Sequence, residues 1–177
     1  MTAGRPGAGG SERLIAFLVV LVLGILAGLS IAAVRRERKA RAVRAFAEEL
    51  RQRRRLEAMY VSKLDRSFIG FRFSDRTLVL GDGSMEREYP FSAIRDVEVM
   101  REETPDPRGD PENGWLKRLA VRVAVDDPER PEHLYRILDW PSGRGLPSAG
   151  VPALGMNDQA ERVRGQLLDA MAAGAAA

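Results

Sequence analysis

The chain contains no cysteine, which excludes disulfide staples, thiolate metal sites and cysteine nucleophiles together. Histidine is almost as scarce, since His133 stands alone. One imidazole without a cysteine, a second histidine or an acid pair at ligand spacing does not make a metal site. It opens an extended segment after Pro131-Glu132, where an exposed or edge histidine is expected. No nucleophile-elbow spacing surrounds Ser62, Ser67, Ser74, Ser84, Ser92, Ser142 or Ser148, so no Ser–His–Asp set is expected. Asp106, Asp110 and Glu112 share a loop but lack the ligand spacing of a calcium site. Gly81-Asp82-Gly83 precedes no helix and reads as a hairpin turn rather than a phosphate cradle. No catalytic residue, metal or cofactor is therefore expected. Lysine is rare too: of 28 basic residues only Lys39, Lys63 and Lys117 are lysines. With abundant Ala and Gly, that arginine bias points to GC-rich coding and a bacterial chain.

Charge is missing altogether from Leu14 to Val34, LIAFLVVLVLGILAGLSIAAV, 21 residues whose one polar side chain is Ser30. At about 1.5 Å per residue a helix of this length covers the roughly 30 Å hydrocarbon core, with every backbone polar group satisfied internally. Ser30-Ile31-Ala32 resembles a signal-peptidase site, but the apolar run exceeds the roughly 7–15 residues of a signal core and arginines follow at once. A retained single-pass transmembrane helix over 14–34 is the expectation, preceded by a disordered segment 1–13. Gly24 and Gly28 form a GxxxG pair, a candidate face for a homodimer, although glycine is simply common in membrane helices and that is the favoured reading.

The net charge of +3 conceals a segregation. Residues 35–55 sum to +7, whereas 56–177 sum to −5. Arg35, Arg36, Arg38, Lys39, Arg41 and Arg44 crowd one end of the apolar run against Arg5 and Arg13 at the other, which predicts an N-terminus outside and the remainder in the cytoplasm, at the inner (plasma) membrane. Strong helix formers fill 35–60, with Val43, Phe46 and Leu50 and then Leu56, Met59 and Tyr60 as an apolar stripe, so a basic helical stem is predicted there. The six cations named are the candidate contacts for anionic lipid. No aromatic residues are interleaved with them as nucleic-acid binding would need, and no nucleic-acid partner is expected.

From Ser67 the period changes to two. Strands are predicted at 68–73, 77–80, 87–91, 94–100, 115–125 and 133–138, with Pro90 at an edge or strand end. Ile94, Asp96, Glu98 and Met100 alternate with Arg95, Val97 and Val99, so one face should be buried. Segments 102–114 and 139–155 are rich in Pro and Gly and read as loops. A closing helix, capped by Asn157 or Asp158, should bury Ala160, Val163, Leu167, Ala170 and Met171, with a tail 173–177 that frays. Trp115 and Trp140 flank the loops and are candidate interface anchors.

The series FIGFRFSDRTLVLGDG, YPFSAIRDVEV, LAVRVAV, HLYRIL and a closing helix resembles bacterial PH-like domains over 67–172, of the uncharacterised membrane-linked kind. Phe71, Phe73, Leu78, Leu80, Phe91, Ser92, Ile94, Val97 and Val99 carry the resemblance. It implies an α+β fold, a six- to seven-stranded antiparallel barrel or sandwich closed by a C-terminal helix, and a binding scaffold without shared chemistry. Phosphoinositide recognition is not carried over, because the turn at Asp75-Arg76 offers only Arg72 and Arg76 beside an acid. The function expected is non-enzymatic, a membrane-tethered module with a protein partner of unidentified kind. The alternative is an anionic-lipid-sensing or envelope-homeostasis protein acting through the stem, and a hydrolase is the least favoured reading.

Overall fold

The structure is a computed structural model and describes residues 9–82, 84–105, 114–140 and 145–176. The expected disorder at 1–8, the loop 106–113, residues 141–144 and the last residue of the tail lie outside them. The chain divides into two units, Met1–Arg44 and Ala45–Ala177.

The first helix, α1, runs from Gly9 to Arg54. It starts ahead of Leu14, so residues 9–13, expected to be disordered, belong to its first turns. It is the one described helix long and apolar enough to cross a membrane. Phe17, Leu21, Ile25 and Leu29 are exposed along it. Water would penalise such a surface at about 25 cal/mol per Å², whereas hydrocarbon would not.

Unit 45–177 contains the last turns of α1 and eight strands, β1 (Ala58–Val61), β2 (Phe68–Arg72), β3 (Thr77–Gly81), β4 (Glu86–Pro90), β5 (Ile94–Thr104), β6 (Trp115–Val125), β7 (Glu132–Asp139) and β8 (Leu146–Pro147), then α2 (Val151–Ala175). They make two antiparallel four-stranded sheets. Sheet A has the order β1-β2-β3-β4; sheet B has the order β5-β6-β7, with β8 beside β6. The sheets do not close into a barrel. Between β4 and β5 the chain turns through Pro90 and one turn of 3-10 helix, Phe91–Ala93, instead of continuing a ladder.

Three expectations are corrected. The stem helix stops at Arg54 rather than near Tyr60. Arg55 takes a left-handed φ of 53°, and its N–H donates to the carbonyl of Gln52 while that of Leu56 donates to Arg51. This is a Schellman ending built without glycine, with Leu56 packed back on Leu50. Its reward is β1, which adds Met59 opposite Gly70 and Tyr60 opposite Ile69. The strand count rises to eight through β1 and β8, neither of which was expected. The closing helix begins at Val151, not at Asn157, with Gly150 as N-cap and Pro152 in the first turn, where a missing N–H costs nothing.

The parity of β5 also differs. The register shifts between Ile94 and Asp96, so Arg95 is an extra residue and Ile94 joins Val97 on the buried face. The main core lies between the sheets, where Ile69, Phe71, Leu78, Leu80, Tyr89, Leu119, Val121 and Val123 meet Ala153, Ala160, Val163, Leu167 and Ala170 of α2. A second cluster covers the opposite face of sheet A, where Leu50 and Leu56 bury Phe68 and Val79, and Phe46 meets the Phe68 ring edge-on at 6.1 Å.

Two helical glycines of α2 separate backbone cost from packing. A Cβ on Gly174 would lie 2.4 Å from Phe91 C and Ser92 N, whereas one on Gly165 meets nothing within 4 Å. Gly165→Ala should raise unfolding free energy by about 0.5–1 kcal/mol. Gly174→Ala should lower it by about 1–3 kcal/mol, both read from urea titrations in detergent.

Candidate functional site

The outer face of sheet B is organised by two arginines of β6. Arg122 reaches Glu98 at 2.8 Å, Glu132 at 2.9 Å and Asp96 at 3.0 Å. Arg118 reaches Glu102 at 3.0 Å and Asp139 at 3.2 Å. Each guanidinium therefore ties acids of β5 and β7 across the central strand. Ala120 lies between the two arginines, and its neighbours in register are Met100 and Arg136. With so small a residue there, an open groove of about 670 Å³ forms, lined by Met100, Ala120, Leu134 and Leu138 and by the charged groups around them. Met100 and Leu134 are 44% and 40% exposed, so the apolar lining faces solvent. Volumes of this order match ligand and side-chain pockets.

A second polar group lies where the two sheets meet. Tyr89 of β4 places its hydroxyl 2.8 Å from Asp127 Oδ2 and 2.9 Å from His133 Nε2. Arg87 donates to Asp127 at 2.6 Å and to Glu129 at 2.8 Å, and Arg130 donates to Asp82 at 2.5 Å. The Tyr89 hydroxyl, with Arg87 behind it, holds Asp127 down at about 2. Burial, and then the Asp127 charge, push Tyr89 up to about 12. An ionised carboxylate only accepts, so the single Tyr89 proton goes to Asp127 and His133 Nε2–H donates to the phenol oxygen. Burial, and then Arg130, lower His133 to about 4, which keeps the imidazole neutral.

No family model, curated protein or solved structure matches the chain.

The residues singled out from sequence are distributed as follows. Arg35, Arg36, Arg38, Lys39, Arg41 and Arg44 are all exposed on α1. Arg41 pairs with Glu37 at 2.5 Å; the other five have no ion pair within the described residues. Gly24 and Gly28 lie one turn apart with open space where each Cβ would be. Trp115 is partly buried, opposite Thr104 and Pro147, and its Nε1 has no acceptor among the described residues. Trp140 is 43% exposed, and its backbone N–H donates to Lys117 O at 2.9 Å. The two indoles do not stack on each other. Among the described residues no three His, Asp or Glu side chains converge as metal ligands.

The histidine expected at an exposed or edge position does stand on an edge strand, β7, but is 8% exposed. The signal was present: alternation along β7 puts His133 on the face of Tyr135, which is buried. Its hydrogen-bond partner Tyr89 lies 44 residues away, beyond any local pattern. The first hairpin turn is also relocated. It is Ser62–Ser67, between β1 and β2, and carries Lys63 and Arg66 rather than Asp75 and Arg76. Asp65 orders it by accepting from the Ser67 N–H at 3.0 Å and hydroxyl at 2.7 Å, while Arg136 donates to its other oxygen at 2.8 Å.

Tyr89→Phe removes the one hydroxyl that serves both Asp127 and His133. It should cost about 1–2 kcal/mol at pH 7, measured as a shift of the urea midpoint with an unchanged slope.

Proposed function

We propose that the chain is a membrane-tethered, non-enzymatic binding module in which α1 holds a PH-like domain at the inner face of the plasma membrane, where the domain engages a protein partner. The observation that carries the reading is the exposed, uncharged stretch of α1, whose helix runs on without a break into the second unit. Two antiparallel sheets and a closing helix that share one apolar core support the PH-like reading. The groove over Ala120 on the outer face of sheet B supplies an apolar floor between charged ends, a suitable seat for a partner's apolar side chain flanked by polar ones.

Protease added to right-side-out vesicles should spare residues 45–177, and protease added to inverted vesicles should digest them; the opposite pattern would reverse the topology. Full-length protein captured from solubilised membranes should retain a specific protein. Ala120→Trp, which fills the groove without touching the core, should reduce that retention at least tenfold. Equal retention by the variant would move the interface elsewhere, and the absence of any specific protein would defeat the scaffold reading.

A second reading rests on the five exposed stem cations that have no ion pair among the described residues. At about 1 kcal/mol each near a charged surface they would bind anionic lipid. Replacing Arg35, Arg36, Arg38, Lys39 and Arg44 by Gln in residues 35–177 should weaken co-sedimentation with phosphatidylglycerol vesicles more than tenfold. Indifference to anionic lipid would eliminate it.

A further inference from the structure

Sheet B ends on one side in β5, an 11-residue strand that pairs with β6 alone. An outermost strand turns the N–H and C=O of every second residue away from its neighbour, toward water or a further strand. The other edges are short or met by another segment. β1 and β4 have four and five residues, and β4 closes on Pro90. At β7 the turn 62–67 comes alongside, and the Arg136 N–H donates to Ser67 Oγ at 3.2 Å. Among the described residues no group outside β6 hydrogen-bonds to the backbone from Asp96 to Thr104. Asp96, Glu98, Met100, Arg101, Glu102 and Glu103 are exposed along that length. The helix α2 shares a core with Val97 on the inner face and leaves the outer one open.

The charges beside this edge select what can occupy it. Asp96, Glu98, Met100 and Glu102 stand in one row, in register with Ala124, Arg122, Ala120 and Arg118 of β6. Arg118 and Arg122 hold five acids between them, Asp96, Glu98, Glu102, Glu132 and Asp139, so two cations against five anions leave this network at −3. The bonds come from the β6 side and reach Oδ2 of Asp96 and Oε2 of Glu98 and Glu102. A cation arriving on the free side of β5 therefore meets three carboxylates, with Met100 between them at the groove over Ala120. Arg101, of the opposite parity, is already paired with Glu103. A second copy of β5 is the wrong occupant. Antiparallel pairing with Asp96 or Glu98 opposite Glu102 would set acid against acid, so the same charges that keep the edge from pairing with itself suit a basic strand.

We propose that β5 is a strand-addition edge, to which a partner protein contributes an extended basic segment that pairs with the backbone of 96–104. Arginine or lysine side chains of that segment lie beside Asp96, Glu98 and Glu102, and an apolar one lies beside Met100 at the groove. The ladder supplies affinity and the acids supply the choice of sequence. This gives the partner its chemistry and rests on the protein-binding reading above.

The test uses the full chain in nanodiscs of phosphatidylcholine, a lipid without net charge, with empty nanodiscs as the blank. The probe is a synthetic peptide that alternates threonine with arginine and carries one central leucine; its counterpart has glutamate for arginine. The arginine peptide should bind at least about tenfold more tightly than the glutamate one at low salt. It should also slow amide exchange at alternate residues of 96–104 and leave β4 and β7 unchanged. Glu98→Gln together with Glu102→Gln should remove most of the preference, and unchanged exchange in β6 and α2 shows that this variant is folded. The slowed β5 amides of the wild type decide the matter whether or not it is. Equal binding of the two peptides, or slowing at another edge, would overturn the proposal. So would slowing of β5 that grows with protein concentration when no peptide is present, which would give the edge to a second copy. A chain that retains a protein from solubilised membranes while its β5 amides stay unprotected keeps the binding module and loses strand addition. Retention of no protein defeats both.

Discussion

Sheet A is apolar on both faces, and the rest of the domain follows from that. Phe71, Leu78 and Leu80 face sheet B and α2, while Phe68 and Val79 point the other way. A strand pair of this kind must be covered twice, because one exposed face would return several buried side chains to water at about 1.5–3 kcal/mol each. The second cover is the end of α1. Leu50 is 1% exposed there, and Leu56 lies so close over Gly70 that a Cβ at that position would stand 2.6 Å from it. Arg54 fixes the helix end to Glu86 and Glu88, and Arg53 adds a further bond to Glu86. The last turns of α1 thus form a structural layer of unit 45–177.

Charge is used differently on the two sides of the molecule. On sheet B, Arg118 and Arg122 span acids on neighbouring strands, and such exposed pairs contribute little stability individually. Their effect is positional. They hold long side chains flat along the strands and leave the short Ala120 as a gap between them. At the junction of the sheets Tyr89 and His133 are buried and Asp127 nearly so, where an unpaired group would be expensive, and each of them has a partner.

Much of the fold was legible locally. The strands at 77–80 and 115–125, and the buried face Ala160, Val163, Leu167 and Ala170, follow from periods of two and of about 3.6. What escaped were features decided against local preference. Arg55 adopts a left-handed conformation that usually calls for glycine, because Leu56 gains a buried site by it. Arg95 bulges so that Ile94 and Val97 both reach the core. Val151 opens a helix in a segment whose Pro and Gly suggested a loop, because Ala153 is then fully buried.

The sequence alone determined the apolar helix, the charge asymmetry behind it, and an antiparallel domain closed by a helix, since each depends on neighbours within a few residues. Tertiary structure alone decided the double cover of sheet A, the groove over Ala120 and the burial of His133. Those depend on which distant surfaces meet, and no period within a strand or helix encodes its partner.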